Sequence, residues 1–195
     1  MPSALSPGQP AGQPGERVAL RGGEESFDET MTSEKNKAIA DGDVERSVLP
    51  SLERKGAVAQ ELPGEFVTVT FHMTRIDVEY LTGLPATMNE ELINLRSGMS
   101  DTVFLGSRRT RDEVFLVDIW MLEQRSQRGR PWRERLDLLQ GLWNRFDLDI
   151  GELYPLARMR NRGLLGAFDK IVNDGGLGLF VRLPGKPNGL LCRKG

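Results

Sequence analysis

The stretch GGLGLFVRLPGKPNGLLCRKG, residues 175–195, holds two apolar runs on either side of a turn. Residues 178–183 and 189–193 are rich in the aliphatic and aromatic side chains that suit a half-buried pleated surface, so each predicts a strand. Between them, Pro184-Gly185-Lys186-Pro187-Asn188-Gly189 combines the residues that fix or permit turn dihedrals. A lone hairpin is barely stable in water, so this one must join a larger sheet.

Working outward, Leu164, Leu165, Phe168, Ile171 and Val172 recur at helical spacing, and Gly175-Gly176 stops the helix predicted over 164–173. Val114-Phe115-Leu116-Val117-Asp118-Ile119-Trp120 is a near-continuous apolar run, as expected of a strand buried on both faces. Pro131 opens a helix where a missing N–H costs nothing. Leu136, Leu139, Leu142, Trp143 and Phe146 give that helix one apolar face. Phe66–Phe71 predicts a strand, as do Ile76–Leu81, ended by Gly83 and Pro85, and Val103–Gly106. Residues 88–96 predict one or two helical turns. Helices mixed with strands adjacent in sequence predict an α+β fold of antiparallel-rich sheets with packed helices.

Before residue 65 the composition changes. Residues 1–24 are rich in Pro, Gly and Ser and predict a disordered or extended arm. Residues 25–64 are polar and acidic and predict short helices, leaving 65–195 as the folded core. Residues 1–65 carry 12 acidic and 7 basic side chains, a charge of −5; the remainder holds 16 acidic and 19 basic, a charge of +3. No run approaches the ~20 apolar residues of a membrane span, and the opening residues lack the pattern of a secretory signal. No membrane partner is expected. Cys192 is the single cysteine and His72 the single histidine. That argues against a disulfide framework, a cysteine-cluster metal site and a serine-type triad. A reducing intracellular compartment such as the cytoplasm is the expectation, a virion component being the alternative.

Three segments together resemble the nucleotidyltransferase core, or adenylation domain, of ATP-dependent DNA ligases and mRNA-capping enzymes. In ligases the segment like 175–195 reads Gly-Gly-Glu-Gly-Leu, two apolar residues and Arg, then Leu-Leu-Lys-x-Lys. Gly175, Gly176, Gly178, Leu179, Arg182, Pro184, Leu190, Leu191 and Lys194 fall in register. Leu177 stands in the place of the glutamate and Cys192 in that of the first lysine. Upstream, Asp118, Pro131, Glu134 and Arg135 match a strand ending in Asp followed by a helix opened by Pro and Glu-Arg. Asp77-Val78-Glu79 is similar to the Asp-Gly-Glu strand. The resemblance covers about residues 66–195 and implies a ligase-like α+β core. The β-barrel (OB) domain that usually follows is not expected within this sequence.

The family's chemistry, attack of a lysine on a nucleotide α-phosphate, needs a neutral amine and cations to balance the phosphate charge. The family's Lys-x-Asp-Gly does not occur. Its nearest counterpart is Lys37-Ala38-Ile39-Ala40-Asp41-Gly42, with two extra residues, which makes Lys37 a weak candidate nucleophile. Leu177 offers no oxygen to Mg²⁺, and a neutral thiol at Cys192 offers no charge to phosphate. Asp77, Glu79, Arg182 and Lys194 are what the resemblance leaves of a nucleotide site. No metal ligand set and no cofactor is expected; ATP and Mg²⁺ enter only if the chain is an enzyme. Arg108, Arg109, Arg111, Arg128 and Arg130 could grip phosphate, though acidic residues interleave with them.

The leading expectation is therefore a non-catalytic, ligase-like structural or binding component of a larger assembly, with protein partners. Two alternatives stay open. One is a divergent DNA or RNA ligase acting through Lys37 or a lysine in trans. The other is a non-catalytic nucleic-acid-binding module.

Overall fold

The computed structural model describes residues 40–88, 90, 98–146 and 153–195. Two sheets face one another. The first carries β1 (Ala40–Asp43), β2 (Val58–Leu62), β9 (Met159–Arg160), β10 (Gly178–Arg182) and β11 (Gly189–Arg193), in the order β1-β11-β10-β2-β9. The second carries β3 (Glu65–Phe71), β4 (Ile76–Tyr80), β5 (Thr102–Thr110), β6 (Glu113–Leu122) and β7 (Arg125–Ser126), in the order β4-β3-β5-β6-β7. A short β8 (Leu153–Tyr154) runs parallel to β6. Apart from β6–β8 and β1–β11, the pairs are antiparallel.

Alternation along each strand sorts side chains into three apolar layers. Val67, Val69, Phe104, Val114, Leu116 and Ile119 of the second sheet pack under α2 (Trp132–Phe146), which contributes Leu139, Leu142 and Trp143. Leu179, Val181, Cys192 and Ala59 of the first sheet pack under α1 (Leu49–Arg54) and α3 (Leu164–Asn173). The middle layer lies between the sheets and contains Leu62, Phe66, Leu105, Val117, Phe180 and Leu191. Phe66 and Phe180 meet edge to face with centroids 6.0 Å apart.

The expected hairpin forms in a single register, Gly178↔Arg193 to Arg182↔Gly189. Gly178 is required there: its φ is +146°, and a Cβ would sit 2.1 Å from the Cys192 carbonyl oxygen. Gly64 is required where the chain crosses between sheets, because a Cβ would lie 1.8 Å from the Arg108 carbonyl oxygen. The buried Ser107 hydroxyl holds this crossing, donating to Gly64 O at 2.8 Å and accepting from Gly64 N at 3.1 Å.

The strands and helices expected between residues 66 and 193 recur within a residue or two, with β5 running on through Ser107–Thr110. The turns expected over 88–96 fall mostly outside the described residues. Residues 40–62 depart from expectation: α1 is the one short α-helix there, after a 3₁₀ turn at Arg46–Val48, while β1 and β2 are strands. Polar composition hid β2 because Gln60 and Glu61 are matched by partners in the fold, Arg182 and Arg160. Among the described residues no helix is long and apolar enough to cross a membrane.

Helix α3 starts at Gly163, whose φ is +66° and which has no side chain to cap it. Glu53 of α1 does so across the gap, accepting from Gly163 N at 2.9 Å and Leu164 N at 3.0 Å. These two bonds hold the Glu53 carboxyl below its ordinary value of 4.5. Arg46 likewise lowers Asp169 of α3 through a two-pronged pair at 2.6 Å. Carboxylates depressed in the folded state stabilise it above their unfolded pKa, and that contribution disappears as pH falls through the folded value. Thermal melts should therefore show stability falling as pH drops below the ordinary glutamate range. Glu53→Gln should lower the melting temperature at neutral pH and flatten part of that acid dependence; an unchanged pH profile would contradict the cap.

Candidate functional site

The polar centre of the molecule grows from a bulge in β6. Leu105 pairs with Asp118 and Gly106 with Leu116, so Val117 is the extra residue. Strict alternation would drive Asp118 into the apolar layer under α2 beside Val114 and Leu116. The bulge shifts the phase, so Ile119 takes that place and the Asp118 carboxylate points elsewhere.

Its partners are two arginines. Arg135 of α2 donates Nε to Oδ1 at 2.8 Å and Nη2 to Oδ2 at 2.7 Å. Arg182 of β10 donates Nη2 to Oδ2 at 2.9 Å. The Ile119 N–H completes the set at Oδ1, 2.9 Å away. Four donors saturate the carboxylate, leaving Asp118 unavailable as a base or a metal ligand. All three side chains are buried, at 1–3% exposure. Arg182 also donates Nε to Gln60 Oε1 at 3.1 Å, and its guanidinium lies 4.2 Å from the Phe180 ring centre. Gln60 Nε2 in turn donates to Val117 O at 2.7 Å. Burial lowers the Arg182 pKa from its ordinary value, with Asp118 pulling the other way.

This placement decides what the sequence candidates can do together. Arg182, expected as a nucleotide contact, spends its guanidinium on Asp118, Gln60 and the Val117 carbonyl. Asp77 and Glu79 stand opposite Thr70 and Thr68 on β4, the far edge of the second sheet. Three strand steps separate β4 from β6, about 14 Å at ordinary strand spacing, so this pair is remote from Asp118. Asp77 instead bonds His72 Nε2 at 3.0 Å and Arg75 at 3.2 Å, with Asp101 3.6 Å from the other ring nitrogen of His72. Lys194 is exposed, and its N–H donates to Leu177 O at 3.2 Å.

Leu177 is half-buried against the middle layer, its N–H on Leu62 O at 2.8 Å. Cys192 lies on β11. Alternation on β11 turns its side chain away from the other sheet and under α1 and α3, where burial pushes the thiol up to about 11. It is a core residue there and does not face the space between the sheets. Lys37 lies outside the described residues; Asp41 and Gly42 of its string lie on β1, with Asp41 accepting from Asn188 Nδ2 at 2.9 Å.

The arginines divide. Arg108 bonds the Tyr80 hydroxyl, Thr87 O at 2.7 Å and Met88 Sδ at 3.3 Å. Arg109 pairs with Glu113 at 3.7 Å and Arg111 with Asp112 at 3.4 Å. Arg128 lies over Trp120 at 4.8 Å, and the carbonyls of Arg128 and Arg130 accept from Arg135 Nη1 at 3.4 and 2.5 Å. Sequence reasoning missed Gln60, which has no motif to mark it, and the role of Arg135, which was visible only as part of Glu134-Arg135.

Removing Asp118 would leave two buried guanidinium groups facing each other. Asp118→Ala should cost about 3–5 kcal/mol in urea unfolding. A loss below about 1 kcal/mol, the range of an exposed pair, would contradict the described burial.

No protein-family model and no curated protein matches the sequence. Solved structures do. A mycobacterial DNA ligase D complexed with ATP and MES superposes with a TM-score of 0.52 at 16% identity, over 73% of this chain and 56% of that one. The ligase domain of M. tuberculosis LigD gives 0.51 at 17% identity, over 74% and 54%. Pmar-Lig_PreS3 gives 0.52 at 10% identity, over 78% and 46%. This chain thus spans about half the length of each. It has the fold of a DNA ligase nucleotidyltransferase core.

Proposed function

We propose that the chain is a ligase-like core that performs no nucleotidyl transfer and serves as a binding or structural component of a larger assembly. The observation that carries this reading is the filled space between the sheets. Leu62, Phe66, Leu105, Val117, Phe180 and Leu191 bury one another there. A nucleotide site needs convergent polar groups around an accessible cleft, and phosphate activation needs cations that can reach it. Arg182 is committed to Asp118. Leu177, in the position of the ligase glutamate, has no oxygen for Mg²⁺.

The Pro- and Gly-rich residues 1–24 suit attachment to a partner, since such a segment adds contact area without a core of its own. Protein partners in an assembly follow from this reading. The enzyme alternative rests on Lys37 or a lysine from another chain.

Incubation with labelled ATP or GTP and Mg²⁺, followed by denaturing electrophoresis, separates the two. The expected outcome is an unlabelled protein band. A covalent label that disappears in Lys37→Ala would establish the enzyme instead.

A further inference from the structure

We infer that the groove between the loop preceding α2 and the β10–β11 turn is the docking site for residues 25–31 of the same chain. This contact goes beyond the function proposed above and stands whether or not the core transfers nucleotides. The groove has a volume of about 380 Å³, with Pro131, Trp132 and Arg133 on one wall and Pro184, Lys186 and Pro187 on the other.

Its surface is apolar with a cationic rim. Pro131, Pro184 and Pro187 are exposed at it, and the buried Trp132 donates Nε1 to Leu183 O at 3.0 Å. The Arg133 guanidinium lies over the Trp132 ring at 5.2 Å. Arg133 and Lys186 are exposed, and among the described residues no carboxylate comes within salt-bridge distance of either. Glu134, next to Arg133 in sequence, lies outside the lining. Proline rings and an indole beside unpaired cations suit an aromatic anchor flanked by carboxylates.

The chain itself holds such a segment. Residues 25–31, Glu25-Ser26-Phe27-Asp28-Glu29-Thr30-Met31, carry three carboxylates and no base. Phe27 is the single aromatic residue before Phe66. Residues 1–24, by contrast, set Glu16 and Glu24 against Arg17 and Arg21 and have no aromatic group.

Strand register brings this segment to the groove. β1 runs parallel to β11 with Ala40 opposite Gly189, so β1 starts at the end of the sheet that carries the turn. Asn188 ties the two together by donating to Asp41 Oδ1 at 2.9 Å. Gly189 is two residues beyond Pro187. Ala40 therefore stands within about 12 Å of that wall, one strand spacing plus two residues of chain. Phe27 precedes Ala40 by 13 residues, and a chain of that length reaches up to about 45 Å. So short a tether holds the segment at roughly millimolar effective concentration. The walls are fixed beforehand: Arg135 donates Nη1 to Arg130 O at 2.5 Å and Nη2 to Pro187 O at 3.0 Å. Docking then orders little beyond the segment itself.

Disulfide trapping on the full chain tests this. Ser26→Cys is combined with Gly129→Cys, a groove position where a Cβ meets nothing within 4 Å. The reference pair is Ser26→Cys with Gly166→Cys, an equally open position on α3. Helix α3 is within reach of the tether, since its Asp169 pairs with Arg46, six residues after Ala40. Cys192 is buried and does not compete. Under mild oxidation the groove pair should close within one chain at least about tenfold faster than the reference pair. Phe27→Ser should slow it to the reference rate, and so should Arg133→Glu with Lys186→Glu. Adding Glu25→Lys, Asp28→Lys and Glu29→Lys to that reversal should restore the fast rate. Should the reversed groove not fold by circular dichroism, the Phe27→Ser comparison still decides. Equal rates for the two pairs overturn the proposal, as does a groove rate indifferent to Phe27→Ser. Disulfides joining two chains would also overturn it, assigning the groove to the segment of a second copy.

Discussion

One buried carboxylate shared by two buried guanidinium groups fixes the arrangement of this molecule. Asp118 belongs to the second sheet, Arg182 to the first and Arg135 to the helix covering the second. The three charges thus tie together layers that apolar packing alone would leave free to slide. Such a cluster contributes little net stability, because desolvation of each ion offsets most of the attraction. Its effect is on geometry. The net positive charge is spread over Gln60, the Val117 carbonyl and the Phe180 ring, and the bonds from Arg182 to Asp118 and to the Val117 carbonyl require the two sheets to stand at one separation.

At that separation the facing side chains touch. Phe66 and Phe180 meet across the space, with Leu62, Leu105, Val117 and Leu191 around them. Burying a large apolar side chain is worth roughly 1.5–3 kcal/mol, so these residues favour a closed interior. The chain has the fold of a ligase core, and buried apolar side chains pack in the space between its sheets. A fold depends on summed burial, whereas chemistry depends on a few groups placed within fractions of an ångström.

Much of the fold was legible in sequence because the decisive segments carry strong periodicity. Val114–Trp120 reads as a two-faced buried strand and is one. The helices at 132–146 and 164–173 follow from apolar spacing and from Pro131 and Gly175-Gly176. The strand Val58–Leu62 was not legible, since its Gln60 and Glu61 look solvated until Arg182 and Arg160 are seen to meet them. The site was harder still. Asp118 and Arg135 were visible as parts of a landmark, but their mutual bonding depends on a bulge that no residue type announces. That Cys192 turns away from the space between the sheets was not legible either, because its orientation depends on which face of β11 the helices cover. Asp77 and Glu79 resemble a motif in sequence, whereas their distance from Asp118 is a property of strand order.

A nucleotide can bind in the manner of a ligase core only if it enters the space between the sheets. Equilibrium dialysis of radiolabelled ATP with Mg²⁺ against the full chain measures this directly. Equal free nucleotide on both sides is the predicted result. Saturable retention of one nucleotide per chain, weakened by Phe180→Trp, would show that the interior opens and would contradict the closed, non-catalytic core.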